Sequence, residues 1–183
     1  MPANFRLPFN FKCEVKMKHR PALALAALTI LTLAASFAVD AQPPAPADAT
    51  ASRQAQVAHG RYLVRISGCN DCHTPGYGAA NGKVDEKLWL TGDQLGWSGP
   101  WGTTYPTNLR LYMANLSEGD WLRTARIFQP RPPMPWFNVH AMNDRDLRAI
   151  YRYIRFLGPA GTAAPAYVPP DQKASGPVVQ FPK

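Results

Sequence analysis

The sequence predicts a small all-α domain with unusually long loops. Three observations carry that prediction. Near the C-terminal end, Leu147, Ile150, Tyr151, Ile154 and Leu157 recur at helical spacing. Helix-capping signals stand ahead of this run and of an earlier one, at Asn143-Asp144 and at Ser117-Glu118-Gly119-Asp120. No stretch alternates apolar and polar residues as a half-buried strand would.

The elements follow in chain order. Residues 1–20 are basic, and an uncharged apolar run from Pro21 to Ala38 follows, closed by Val39-Asp40-Ala41. This is the pattern of a cleaved secretory signal peptide over 1–41, with Met17 as an alternative start. Uncleaved, the run would be an anchor at the short limit of a membrane span. Residues 42–51 read as an extended Pro/Ala linker. A first helix is expected from about Ser52 to Ser67, with Val57, Leu63, Val64 and Ile66 as its apolar residues. Within it Gly60, beside Tyr62, leaves room for another helix to cross closely. Ten glycines and prolines between Pro75 and Pro106 leave no long periodic window, so residues 74–116 read as loop, with a turn of helix near Asp85–Leu90. A loop of that length in a compact domain points to function or to wrapping around a cofactor.

Behind Ser117 a helix carries Trp121, Leu122, Ala125 and Phe128 and ends before Pro130. The proline-dense segment Gln129–Trp136 fits neither helix nor central strand. The last helix runs from Asn143 or Asp144 to Gly158-Pro159, a clean stop signal. The domain is therefore expected over 52–160. Residues 161–183 form a Pro-rich tail, draped on the surface or disordered.

Charge excludes some functions. The full chain of 183 residues carries a net +8, and removal of residues 1–41 leaves a mildly basic +5. The remaining basic residues are spread over helices, not gathered in a stripe with interleaved aromatics, so no nucleic-acid partner is expected. A weak steering field toward an acidic partner is the functional reading of this charge. A membrane role is expected only if the leader stays attached.

The motif with the most chemical content is Cys69-Asn70-Asp71-Cys72-His73, a C-x-x-C-H. This is the attachment signature of a c-type haem: two thiols form thioethers with the vinyl groups, and the adjacent His73 is the proximal iron ligand. A zinc site would need four ligands, and beyond the leader only His59 and His140 remain as scattered partners. A thioredoxin-like pair would want a βαβ setting, and a disulfide would leave His73 without a role. Haem attachment is the reading adopted, with a single haem because the motif occurs once. An electron-transfer haem wants a second strong axial ligand. Met134, held between Pro133 and Pro135, is the expected distal ligand, with Met113, Met142 and His140 as rivals. A haem pocket would use some of the five tryptophans, and Trp101 and Trp136 are the candidates by position. Arg110 or Arg131 would pair with a propionate. A carbonyl of Gly99-Pro100 would orient the His73 ring. No catalytic residue is expected.

Gly60-Arg61-Tyr62-Leu63, the C-x-x-C-H, Trp101–Leu109, Pro133-Met134-Pro135-Trp136 and Asp146–Ile154 come in that order. On these motifs residues 53–160 resemble a class I cytochrome c domain, most of all those in the cytochrome subunits of bacterial alcohol and gluconate dehydrogenases. The resemblance implies the small helical cytochrome c fold, with first and last helices crossing beside one covalent haem. It also implies electron transfer through Cys69, Cys72, His73 and Met134. The partners implied are a dehydrogenase donor and a cytochrome or oxidase acceptor. Those subunits carry several such domains where this sequence has one, so a free periplasmic carrier and a small accessory subunit are both expected forms. A peroxidatic or gas-binding haem protein is the alternative from another class.

Overall fold

A computed structural model describes residues 46–182. The expected signal peptide (1–41), and with it Met17, lies outside the described residues, as does the start of the linker. The fold is mostly helical, with a small three-stranded sheet that the sequence did not lead us to expect. In chain order come α1 (Pro46–Ile66), α2 (Cys69–His73), a 3-10 turn (Glu86–Leu88), β1 (Gly96–Gly99), β2 (Gly102–Thr104), α3 (Leu109–Ala114), α4 (Glu118–Ile127), α5 (Trp136–Ala141), α6 (Asp144–Leu157) and β3 (Val178–Gln180). No helix among the described residues is long and apolar enough to cross a membrane.

Helices α1 and α6 form the central pair. The α6 stripe buries Leu147, Ala149, Ile150, Tyr153 and Ile154, while α1 contributes Leu63 and Val64. Tyr153 thus takes the core place expected of Tyr151. Its hydroxyl can be buried because it donates to Glu86 Oε1 at 2.8 Å, and that burial beside a carboxylate pushes its pKa above the ordinary phenol value. The half-buried Tyr151 instead donates to the Leu116 carbonyl at 2.8 Å. The helices meet at Gly60, where a Cβ would stand 2.0 Å from the Ala149 carbonyl oxygen. Only glycine permits that approach. On the same pair, His59 Nε2 lies 2.8 Å from Asp146 Oδ1 and links the two helices.

The capping signals act as expected. Ser117 and Asp120 form a reciprocal capping box at α4, and the Asn143 side chain accepts from Asp146 N at the start of α6. Three boundaries differ. α1 begins at Pro46, not Ser52, because proline is tolerated in a first helical turn and alanine-rich sequence propagates helix. α5 is a short helix that its length hid from periodicity. The 74–116 segment holds β1, β2 and α3. β1 pairs antiparallel with β2 and parallel with β3, so the tail is ordered along the sheet.

Glu118 ties α4 to α6. Its carboxylate accepts from Arg152 at 2.8 Å and Arg148 at 2.6 Å, and the Arg152 hydrogen bond, with help from Arg148, holds its pKa below the usual carboxylate value. A depressed folded-state pKa contributes stability above the unfolded value, and that contribution is lost as pH falls through the folded one. Glu118→Gln should therefore lower stability at pH 7 by about 1 kcal/mol, the scale of partly exposed pairs. Urea unfolding at pH 7 and in strong acid checks this: the difference between variant and wild type should vanish in acid. A difference of equal size at both pH values would show that the charge is not responsible.

Candidate functional site

The C-x-x-C-H sits on the single turn α2, directly after α1. Gly68, at φ 72°, makes the left-handed break between the two helices. Behind the turn, the buried Thr74 hydroxyl donates to Asn70 Oδ1 at 2.8 Å and accepts from Leu90 N at 2.8 Å. The Gly92 N–H donates to the His73 carbonyl at 2.9 Å. The loop after the motif is thereby fastened to the motif itself.

Cys69, Cys72, His73 and Met134 all border one cavity of about 480 Å³. That volume falls inside the roughly 300–1,000 Å³ of cofactor sites. Its walls are mostly apolar, with Val64, Leu109, Trp121, Ile150 and Ile154 among them. α1 and α6 supply one wall, and the proline-dense segment before α5 supplies another. Met113 and Met142 also border it, so all three methionines weighed as distal ligands face the same space. His140 does not border it. Its Nε2 donates to the Phe128 carbonyl at 2.9 Å, and its ring packs against Trp136 with centroids 4.8 Å apart.

The hydrogen bonding of His73 determines its tautomer. Nδ1 lies 2.7 Å from the Thr107 carbonyl oxygen, which can only accept, so Nδ1 carries the proton. Nε2 then keeps a free lone pair, as a metal ligand requires. Burial lowers the pKa of this imidazole and the Thr107 contact raises it in part, with a net downward shift that favours the neutral ring. The orienting carbonyl is that of Thr107, not of Gly99 or Pro100 as expected.

Cys69 and Cys72 are not joined in a disulfide. Burial pushes Cys69 up to about 11 and also raises Cys72, so both sulfurs are neutral at pH 7. A neutral thioether suits such an environment, because it carries no charge to desolvate. The alternative readings of the motif find less support. No three His, Cys, Asp or Glu side chains among the described residues gather as a metal site, against the four ligands structural zinc needs. The preceding element is a helix, not the strand of a thioredoxin-like unit.

Three residues expected in the pocket lie elsewhere. Arg110 is buried away from the cavity, where its guanidinium donates to the carbonyls of Gly158 (2.5 Å), Lys87 (2.6 Å) and Leu157. It satisfies the end of α6, whose last carbonyls lack helical partners. Trp101 gives its indole N–H to the Trp97 carbonyl at 3.3 Å and packs on Phe181. Trp136 packs on His140 and Phe137. Trp97 and Trp121 border the cavity in their place, with Arg131 and Tyr167. Nothing in the local sequence distinguishes Trp97 from Trp101, since both stand among glycines.

The residues fit a haem. The Trp97 indole N–H is buried and meets no acceptor among the described residues, although the ring borders the cavity. A buried donor without a partner costs about 1–3 kcal/mol, and a propionate oxygen would satisfy it. The rest of the donor set, a neutral imidazole and a thioether beside two thiols, matches a c-type iron site.

Among known proteins, the chain is similar to the fructose dehydrogenase cytochrome subunit of Gluconobacter japonicus, at 30% identity over 148 residues. The match covers 74% of this chain and 28% of that protein. The chain therefore spans little more than a quarter of that relative's length. No family model and no solved structure matches.

Proposed function

We propose that this chain is an exported, monohaem cytochrome c that carries single electrons. The observation that carries the reading is the gathering of Cys69, Cys72, His73 and Met134 on one apolar cavity, with the His73 Nε2 lone pair free. In this reading Cys69 and Cys72 hold the haem covalently, His73 binds the iron through Nε2, and Met134 is the distal ligand. The bound iron supplies a one-electron ferric/ferrous couple, and no substrate bond is made or broken. The Thr107 carbonyl keeps the imidazole at one angle. The apolar walls exclude water, so little solvent reorganises when the charge changes. The proline-held backbone around Met134 limits movement of the thioether. The cytochrome c fold belongs to the same proposal, supported by the α1–α6 crossing at Gly60 beside the motif.

Similarity to a dehydrogenase cytochrome subunit supports redox partner proteins: a dehydrogenase as donor and another cytochrome or an oxidase as acceptor. A place inside such a dehydrogenase complex is the second form of the proposal, favoured by the same similarity. Export to the periplasm is proposed from the basic and then apolar segment 1–41, and N-terminal sequencing of the exported protein tests it.

A pyridine haemochrome spectrum of the mature protein tests the cofactor, and a bound haem that organic solvent removes would overturn the covalent reading. Met134→Ala should lower the midpoint potential and open the iron to carbon monoxide, because a Met/His pair raises the potential of the couple. An unchanged potential would move the distal ligand to Met113 or Met142. Rapid carbon monoxide binding by the ferrous wild type would favour a gas-binding protein instead.

A further inference from the structure

We propose that the C-terminal segment is a strap that positions Met134, acting through Tyr167. This rests on the proposed role of Met134 as distal ligand and adds a positioning residue to it. The segment from Pro130 to Pro135 contains four prolines and therefore few backbone N–H groups with which to hold itself. Its anchorage comes from outside. Thr104 Oγ1, at the end of β2, donates to the Pro132 carbonyl at 2.8 Å. The Arg131 guanidinium, three residues before Met134, lies over the Tyr167 ring at 3.8 Å from its centroid.

Tyr167 is well placed to serve as an anvil. Its hydroxyl donates to the Trp101 carbonyl at 2.8 Å, and its ring borders the same cavity as Met134 and His73. The next residue, Val168, exchanges two backbone hydrogen bonds with Thr103, at 2.8 and 3.0 Å. Gly102, at φ 94°, makes room for this crossing: a Cβ there would stand 2.4 Å from the Val168 carbonyl oxygen and 2.9 Å from the Tyr167 ring. Further along, β3 pairs with β1, and Phe181 packs against Trp97 and Trp101. The strap therefore holds the sheet, the sheet holds Pro132 through Thr104, and Tyr167 holds Arg131. Both ends of the contact act on the segment that carries the thioether.

A neutral thioether is a weak ligand, so its occupancy of the iron depends on how narrowly its backbone is held. Loosening the segment raises the fraction of molecules with an open sixth position. An external ligand then binds in proportion to that fraction.

The test uses the holoprotein with Tyr167→Ala, Tyr167→Phe, Arg131→Gln and Met134→Ala. It reads the rate of carbon monoxide binding to the ferrous form and the long-wavelength absorption band that a thioether gives on ferric iron. Tyr167→Ala should speed carbon monoxide binding by at least about tenfold and weaken the band, as expected for a larger open fraction. Tyr167→Phe keeps the ring beneath Arg131 and should recover most of the wild-type behaviour. Arg131→Gln, at an exposed position, should shift both readouts in the direction of Tyr167→Ala. Wild-type rates and band in Arg131→Gln and in folded Tyr167→Ala would overturn the strap. Should Tyr167→Ala fail to fold, Arg131→Gln alone decides. If wild type and Met134→Ala bind carbon monoxide equally fast, the failure lies with the Met134 ligand itself.

Discussion

A C69A/C72A variant is expected to lose covalent haem completely and to lose its cooperative fold with it. The first effect follows from the proposed thioethers. The second follows from volume. An apolar cavity of about 480 Å³ left unfilled would cost on the order of 10 kcal/mol at about 24 cal/mol per Å³. Water entering its mouth reduces that figure, but it remains comparable with the roughly 5–15 kcal/mol that stabilises a whole domain. One wall of the cavity is made of core residues of α1 and α6, so the core cannot close without either rearranging or recruiting a filler. The measurements are a haemochrome spectrum after acid–solvent extraction and a thermal melt followed by far-UV circular dichroism. Pigment that stays attached after extraction would sink the covalent assignment. A cooperative melt at the wild-type temperature without pigment would show that the core does not depend on the cofactor.

Gly60→Ala is expected to destabilise the protein by about 3 kcal/mol or more, at the upper end of overpacking costs. Two effects oppose each other at this position. Alanine is the better helix former by about 1 kcal/mol. Against that, its Cβ would meet the Ala149 carbonyl oxygen at 2.0 Å, its carbon at 2.6 Å and Tyr153 Cβ at 2.7 Å. None of these atoms belongs to a flexible side-chain end, so relief requires α1 and α6 to move apart. Separation would uncover Leu63, Val64, Ile150 and Ile154 together. Gly119→Ala, in α4, is the control: its nearest neighbours are 3.6 and 3.9 Å away, and it should gain about 0.5 kcal/mol from propensity alone. Urea unfolding of both variants checks the pair. Equal small gains would mean that the helices do not cross at Gly60.

The crossing itself was legible because a glycine inside an otherwise good helix has few explanations other than close packing. The last helix was legible because its apolar residues repeat from Leu147 to Leu157, long enough for the period to stand out. The sheet was not. β1 and β2 are four and three residues long and rich in glycine, so no alternation exists to be read. The third strand pairs Gly96 with Val178 across more than eighty positions, a contact with no local signature. Site residues divide the same way. Arg110 has a charge that suits a propionate, yet its partners are backbone carbonyls at the end of α6 and in the 3-10 turn, which no side-chain pattern announces.

By itself the sequence determined the chemistry available to this protein: two thiols and an imidazole in a five-residue motif, and a methionine held between prolines. It also determined the helices that are long enough to be periodic and firmly capped. Those properties are local, set by neighbouring residues and by the turn of a helix. The tertiary structure alone decided that Thr107 accepts from His73 Nδ1, that Trp97 rather than Trp101 borders the cavity, and that Tyr167 lies beneath Arg131. Each of those joins residues brought together only when distant segments pack, and a backbone carbonyl or an aromatic face offers the same contact whatever sequence surrounds it.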